Sequence, residues 1–377
     1  MAGIYLHIPF CKQACHYCDF HFSTNLARKT ELVHAMHQEL RMQQAYLKGE
    51  TVSTIYFGGG TPSLLSAEEI SGLLNTIRER HAVSEDPEIS LEANPDDLDE
   101  AKLYALASAG INRLSIGIQS FHDAHLLMMN RSHNAAQAAQ SVALAQAAGI
   151  SNISIDIICG IPYPDHSVLQ SDLKRALALG VPHISVYCLT IEPGTVFGRR
   201  HKKGTFAAAP EEFAAEQLEM VRATLEAYGI MQYEISNYAK PGMESRHNSA
   251  YWQQQPYLGI GPSAHSYNGH ERQFDISSNA GYIQSISAGK IPATIEPLSP
   301  EDRINDYLLT TLRTRQGCNL NYLKSVFDYD LTNLKAGFIK RITESGQAEI
   351  EGHFLKLSPS GRLIADYITA ELMAGEE

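Results

Sequence analysis

Three cysteines near the start of the chain, Cys11, Cys15 and Cys18, stand at C-x3-C-x2-C spacing directly after the apolar run Tyr5-Leu6-His7-Ile8-Pro9-Phe10. A long chain without an export signal does not use such a cluster as a disulfide framework, so the spacing reads as metal-binding. Four thiolates usually fill the protein coordination of an iron–sulfur cluster. Three leave one iron of a [4Fe-4S] cubane open to a small-molecule ligand, as a catalytic metal site keeps an open position. The scattered Cys159, Cys188 and Cys318 read instead as small buried hydrophobes.

Further candidates sit where apolar runs end. Gly58-Gly59-Gly60-Thr61-Pro62 would let backbone approach a ligand closely, or would simply make a tight turn. Glu92, in Glu92-Ala93-Asn94-Pro95, could pair with a ligand ammonium or with a neighbouring strand. Gln119 and Asp156 could hold ribose hydroxyls, and Arg131 suits a bidentate clamp on a carboxylate. Each alone has a structural explanation. Together on one rim they match the polar parts of S-adenosylmethionine.

The elements that must position these groups alternate regularly. Strands are expected at 4–8, 54–57, 88–93, 113–118, 152–158 and 183–189, and helices at 29–48, 67–80, 98–109, 135–148 and 167–179. Such alternation implies parallel strands joined by right-handed crossovers, hence an α/β fold built as a partial or complete (β/α) barrel. A barrel of this kind gathers its functional groups at the C-terminal ends of the strands. The pattern then changes: a helix at 210–227, a strand at 232–236, a loop-rich aromatic stretch at 237–282, and a proline-rich linker at 291–300. Helices at 300–314, 320–327 and 331–345, a hairpin at 348–357 and a helix at 359–372 resemble a small winged-helix module. The expected organisation is a barrel core at 1–236, an extension at 237–297 and a C-terminal module at 298–377. That module is expected to cover the barrel mouth or to contact a partner.

Lys and Arg number 30 against 42 Asp and Glu, a net charge of −12, which opposes an electrostatic grip on nucleic acid. The 331–345 helix carries Lys335, Lys340 and Arg341, too little for a regulator in so acidic a chain. No apolar run would cross a bilayer and no leader is evident, so no transmembrane segment and a cytoplasmic location are expected.

The run from His7 through Cys18, with the Gly58–Pro62 turn, resembles the radical S-adenosylmethionine superfamily. Within it, Gly117-Ile118-Gln119-Ser120-Phe121, Asp156 and Gly259-Ile260-Gly261-Pro262-Ser263-Ala264-His265 resemble the oxygen-independent coproporphyrinogen oxidase (HemN) branch. The resemblance implies a [4Fe-4S] cluster on Cys11, Cys15 and Cys18 whose open iron takes the amino and carboxylate groups of the cofactor, for one-electron cleavage of its carbon–sulfur bond. Tyr5 and Tyr17 would line the pocket, Gly59, Gly60 and Thr61 would contact the cofactor, and Glu92, Gln119, Arg131 and Asp156 would act as assigned above.

Two departures separate the chain from coproporphyrinogen dehydrogenase: Phe20 stands where that motif continues with a fourth cysteine, and the longer segment before the motif is absent. Both count against decarboxylation of coproporphyrinogen III, which stays as the alternative activity. His247-Asn248-Ser249-Ala250-Tyr251-Trp252 fits H-N-x-x-Y-W and resembles the signature of the HemW group, whose members look like haem chaperones. The resemblance implies haem as a ligand and a haem-accepting protein as partner. His247 could supply an axial imidazole, with Tyr251 and Trp252 stacked on the porphyrin; His265 is a weaker ligand candidate. Neither the acceptor nor the electron donor is named by any residue.

Overall fold

The computed structural model describes residues 1–375. Six parallel strands lie side by side in chain order: β1 (Ala2–Ile8), β2 (Val52–Gly59), β3 (Val83–Ala93), β4 (Arg113–Gln119), β5 (Asn152–Cys159) and β6 (His183–Cys188). Helices Lys29–Met42, Ala67–Arg80, Glu100–Ala109, Ala135–Ala147 and Ser167–Ala178 make the crossovers. Capping boxes at Ser66 with Glu69 and at Asn134 with Gln137 start two of them. The expected units are all present, and the sheet order has two free ends, so the barrel is partial.

Period-two alternation explains both faces of the sheet. Ile4, Leu6 and Ile8, Ile55 and Phe57, Ile89 and Leu91, and Ile153, Ile155 and Ile157 join the apolar core under the helices. The intervening positions carry polar groups into the bore: Tyr5, Tyr56, Glu92, Ser115 and Asp156 stand in adjacent registers.

The sheet continues at both edges with strands made later. On one side, β7 (Met231–Gln232) and β8 (Asn237–Ala239) run antiparallel beside β6. The strand expected at 232–236 is a reversal instead, because Tyr233 turns its hydroxyl onto His183 and buried Glu234 bonds Asn237. On the other side, β9 (Tyr257–Ile260) pairs parallel with β1, followed by β10 (His265–Tyr267), β11 (Glu271–Asp275) and β12 (Ala293–Pro297). The 237–297 stretch is thus part of the barrel sheet. The expected linker at 291–300 is an edge strand for half of its length, and an edge tolerates proline.

A buried acid pair fixes this extension. Glu39, on the first helix, accepts from Gly261 N–H (2.9 Å) and from the Tyr282 hydroxyl (2.5 Å). Burial and the neighbouring Glu39 raise Asp275 to about 10, so Asp275 is held protonated beside Glu39.

After residue 300 a second core gathers Leu308, Leu323, Phe338, Ile342, Leu355 and Ile368. The three-stranded sheet Cys318–Asn319, Phe354–Leu357, Ala348–Glu351 forms its wing. The helix expected at 331–345 breaks at Lys335, and the last one breaks between Arg362 and Ala365.

The module stands at the base of the barrel, where the parallel strands begin. Arg315 N–H donates to the Tyr233 carbonyl (2.9 Å) and Arg362 donates to Gln232 (2.8 Å). The expectation that it covers the mouth is corrected accordingly.

Candidate cofactor site

The cysteines lie in the loop after β1, at the C-terminal end of the strands. Their loop is tied on several sides. Cys11 N–H donates to the Ser23 carbonyl (3.1 Å), Asn130 Nδ2 to the Ala14 carbonyl (2.7 Å), and Phe197 N–H to the His16 carbonyl (2.9 Å). Lys12 pairs with Asp96 (3.0 Å) and with Asp97. His7 reaches the His21 carbonyl (3.1 Å), and His21 reaches Asn279 (2.8 Å).

Two glycines make this packing possible. A Cβ on Gly60 would lie 2.7 Å from the Phe10 carbonyl oxygen, and Gly59 has φ +107° with the His7 ring in the space a side chain would take.

The three sulfurs border one cavity of about 500 Å³ at the barrel mouth. Tyr17, Gly59, Gly60 and Thr61 share that cavity, as do Glu92, Gln119, Arg131 and Asp156. Eleven residues, spread in sequence from Cys11 to Asp156, are thereby brought together. Tyr5 is the exception: it lies below, stacked on Tyr56 with centroids 6.1 Å apart and bonded to His7 (3.1 Å).

Electrostatics follow from burial. Glu92 is raised to about 7 by burial, although the Tyr56 hydroxyl (2.8 Å) and Gly59 N–H (3.1 Å) both donate to it. Burial also raises Asp156, which accepts from Ser115 (3.2 Å). Arg131 uses Nη2 on Asn94 Oδ1 and the Gly117 carbonyl, both at 2.7 Å, and touches Cys15 Sγ and the Tyr17 hydroxyl at 3.3 Å through Nη1. Its Nε is buried without a partner. Gln119 takes φ +68° where β4 slips register against β5, which folds its amide over Gly117.

These groups fit the expected cofactors. Among the described residues no three His, Cys, Asp or Glu converge on a single ion. Thr61 donates to Cys11 Sγ (3.4 Å). Two half-buried carboxylates with no ion-pair contact, Glu92 and Asp156, and the partnerless Nε of Arg131 complement an amino acid's charged ends.

Sequence reasoning missed Asn94, which orients Arg131, and Tyr187 and Cys188, which border the same cavity. The Asn-Pro at a strand end was a usable signal for the first. Cys188 corrects the buried-hydrophobe reading: it is exposed, pairs in register with buried Cys159, and a thiol hydrogen bond from Cys159 lowers it to about 7. Phe20 is 69% exposed and borders the mouth.

The H-N-x-x-Y-W segment forms the helix Arg246–Trp252 at the opposite end of the bore. Glu88 accepts the N–H groups of Arg246 and His247, both at 3.0 Å, and Ser245 caps Asn248 (3.2 Å). His247 is 1% exposed, with Nδ1 on Thr54 (2.7 Å) and Nε2 on Tyr251 (2.8 Å). Burial and Arg113 lower it to about 3, so it is neutral. Its ring stacks on Tyr56 at 4.9 Å. In this conformation both ring nitrogens are engaged in hydrogen bonds. His265 lies on β10, stacked on Phe274 at 5.6 Å, away from the mouth lining.

Six parallel strands, a three-cysteine loop and a cofactor-sized mouth define a radical S-adenosylmethionine protein, and the Radical SAM superfamily model matches residues 5–174. The chain is 36% identical to the Heme chaperone HemW of Bacillus subtilis over 98% of each chain. It is 33% identical to that of Mycobacterium tuberculosis (strain H37Rv) over 98% of this chain and 94% of the relative. The chain belongs to the HemW family. Its fold matches coproporphyrinogen III oxidase (HemN) from Escherichia coli with a TM-score of 0.86 at 22% identity, covering 99% of this chain and 90% of that one.

Proposed function

We propose that this protein is a haem chaperone: it binds haem and passes it to acceptor proteins in the cytosol, on a scaffold holding a [4Fe-4S] cluster and S-adenosylmethionine. The observation that carries the reading is the separation of two cavities by the bore. The cofactor groups face the mouth, whereas Trp252 borders a second cavity, of about 690 Å³, at the base. Between them Tyr5, Tyr56 and His247 stack at 6.1, 6.5 and 4.9 Å and close the bore. A large ligand at the base is thus held apart from the reactive centre, as a carrier requires and an oxidase does not.

At the mouth, Cys11, Cys15 and Cys18 would hold the cluster, Glu92 the cofactor's amino group, Arg131 its carboxylate, and Gln119 and Asp156 its ribose. When bound, cluster and cofactor supply one-electron chemistry there. Thr61 orients the Cys11 thiol, and Asn94 fixes the guanidinium plane of Arg131. At the base, His247 and Tyr251 position Trp252 through their mutual hydrogen bond.

Equimolar haem titration of the purified protein tests the reading: a saturable Soret shift and transfer to a haem-free acceptor protein are expected, with weaker binding in His247→Ala. Absence of saturable binding sinks it. Anaerobic turnover of coproporphyrinogen III to protoporphyrinogen would favour the oxidase instead.

A further inference from the structure

The base cavity lies between the Arg246–Trp252 helix and the helix Pro300–Thr311 of the C-terminal module. Its wall is aromatic: Trp252, Tyr267, Tyr307, Tyr322 and Phe327 all border it. Tyr307 and Tyr322 lie 4.6 Å apart at 32°, and Phe327 stands edge-on to Tyr322 at 5.9 Å. The Trp252 Nε1 is buried with no partner.

Two guanidiniums border the same space. Arg303 forms no ion pair among the described residues and rests over Phe327 at 5.1 Å, while the ion-pair partner of Arg315, Glu244, is at 4.0 Å, the outer limit for such a contact. Cations left this weakly satisfied beside stacked rings suit the carboxylates of a flat ligand. The lining holds no imidazole, thiol or thioether, so a metal centred on the ligand would meet only oxygen.

We infer that this groove seats a planar tetrapyrrole dicarboxylate, its face on the tyrosine–tryptophan wall and its two carboxylates on Arg303 and Arg315. The inference rests on the haem-binding reading above and names its site. A seat without a nitrogen or sulfur ligand grips the macrocycle by face and edge and leaves the iron weakly held, which favours release to an acceptor offering imidazole or thiolate.

The test titrates full-length protein with haem and with haem dimethyl ester, following the Soret band and the emission of the single tryptophan. Wild type should prefer the diacid. In R303Q/R315Q, haem binding should weaken ~100-fold, about tenfold for each charge-assisted pair lost, and the preference for the diacid should vanish. R303K/R315K should keep most of that preference, which separates loss of charge from loss of fold. Both positions lie outside the core, so the variants should melt as wild type does. Saturable haem binding with equal affinity in wild type and R303Q/R315Q would overturn the groove while sparing the chaperone reading. No saturable binding by wild type would remove both.

Discussion

Glu92 offers the sharpest test of the mouth. Its carboxyl is buried and raised to about 7 by that burial, with Tyr56 and Gly59 already donating to it. Near neutral pH the carboxyl is therefore about half ionised before the cofactor binds. The cofactor's amino group offers N–H donors, so it gains a charge-assisted hydrogen bond from the carboxylate and only a weaker, neutral one from the protonated acid. For a group titrating at about 7, the ionised fraction falls from about one half at pH 7 to about 3% at pH 5.5. Affinity should drop by about 15-fold over that interval. Equilibrium dialysis of labelled S-adenosylmethionine against anaerobic, cluster-loaded protein reads this directly. Glu92→Gln should weaken binding about tenfold or more at pH 7.5, the worth of one charge-assisted hydrogen bond, and should flatten the acid limb. Asp156 is also raised by burial and contributes its own share of the pH dependence, which the Gln variant leaves in place. A variant that kept the wild-type slope, or a wild type with none, would refute the assignment of the amino group to Glu92.

Two further predictions concern groups outside that contact. The raised carboxyl of Asp275 is protonated in the folded state up to about pH 10 but ionised in the unfolded chain above about 4, so stability should fall as pH rises between those values, by up to about 1.4 kcal/mol per unit. Asp275→Asn, which carries no titrating proton, should flatten that slope in urea melts at pH 6 and 9; an unchanged slope would mean the pair is not the cause. Cys188, at about 7, should alkylate with iodoacetamide at pH 7.5 ahead of Cys18, which burial raises to about 11, in cluster-free protein read by peptide mass spectrometry. Faster labelling of Cys18 would contradict this.

The six-unit barrel was legible because each strand and helix announces itself locally, by period two and period 3.6. The cysteine loop was legible for the same reason: its three ligands are close in sequence. What escaped were features set by long-range pairing. Strand β9 is four residues long and exists because β1 offers an edge, and β12 because β11 does; neither carries enough local pattern to be separated from loop or linker. The exposure and acidity of Cys188 depend on its register with Cys159 across β5 and β6. The H-N-x-x-Y-W residues were visible in sequence, but their spacing does not say which end of the barrel they occupy. That placement comes from Glu88, an acid midway along β3 that captures the N–H groups of the helix.

The position of β1 in the middle of the sheet bears on the order in which the molecule can be built. The strand is made first, yet it hydrogen-bonds on one side to β2 and on the other to β9, at residues 257–260. Its cysteine loop is latched by Asn279, through His21 at 2.8 Å. At ~5–20 residues per second the ribosome takes on the order of 10 s or longer to supply those later segments. Throughout that interval the three thiols hang from a strand with one neighbour and an unlatched loop. The cysteine loop therefore reaches its fully latched form only after residue 279 has been made, timed by the arrival of the far end of the sheet.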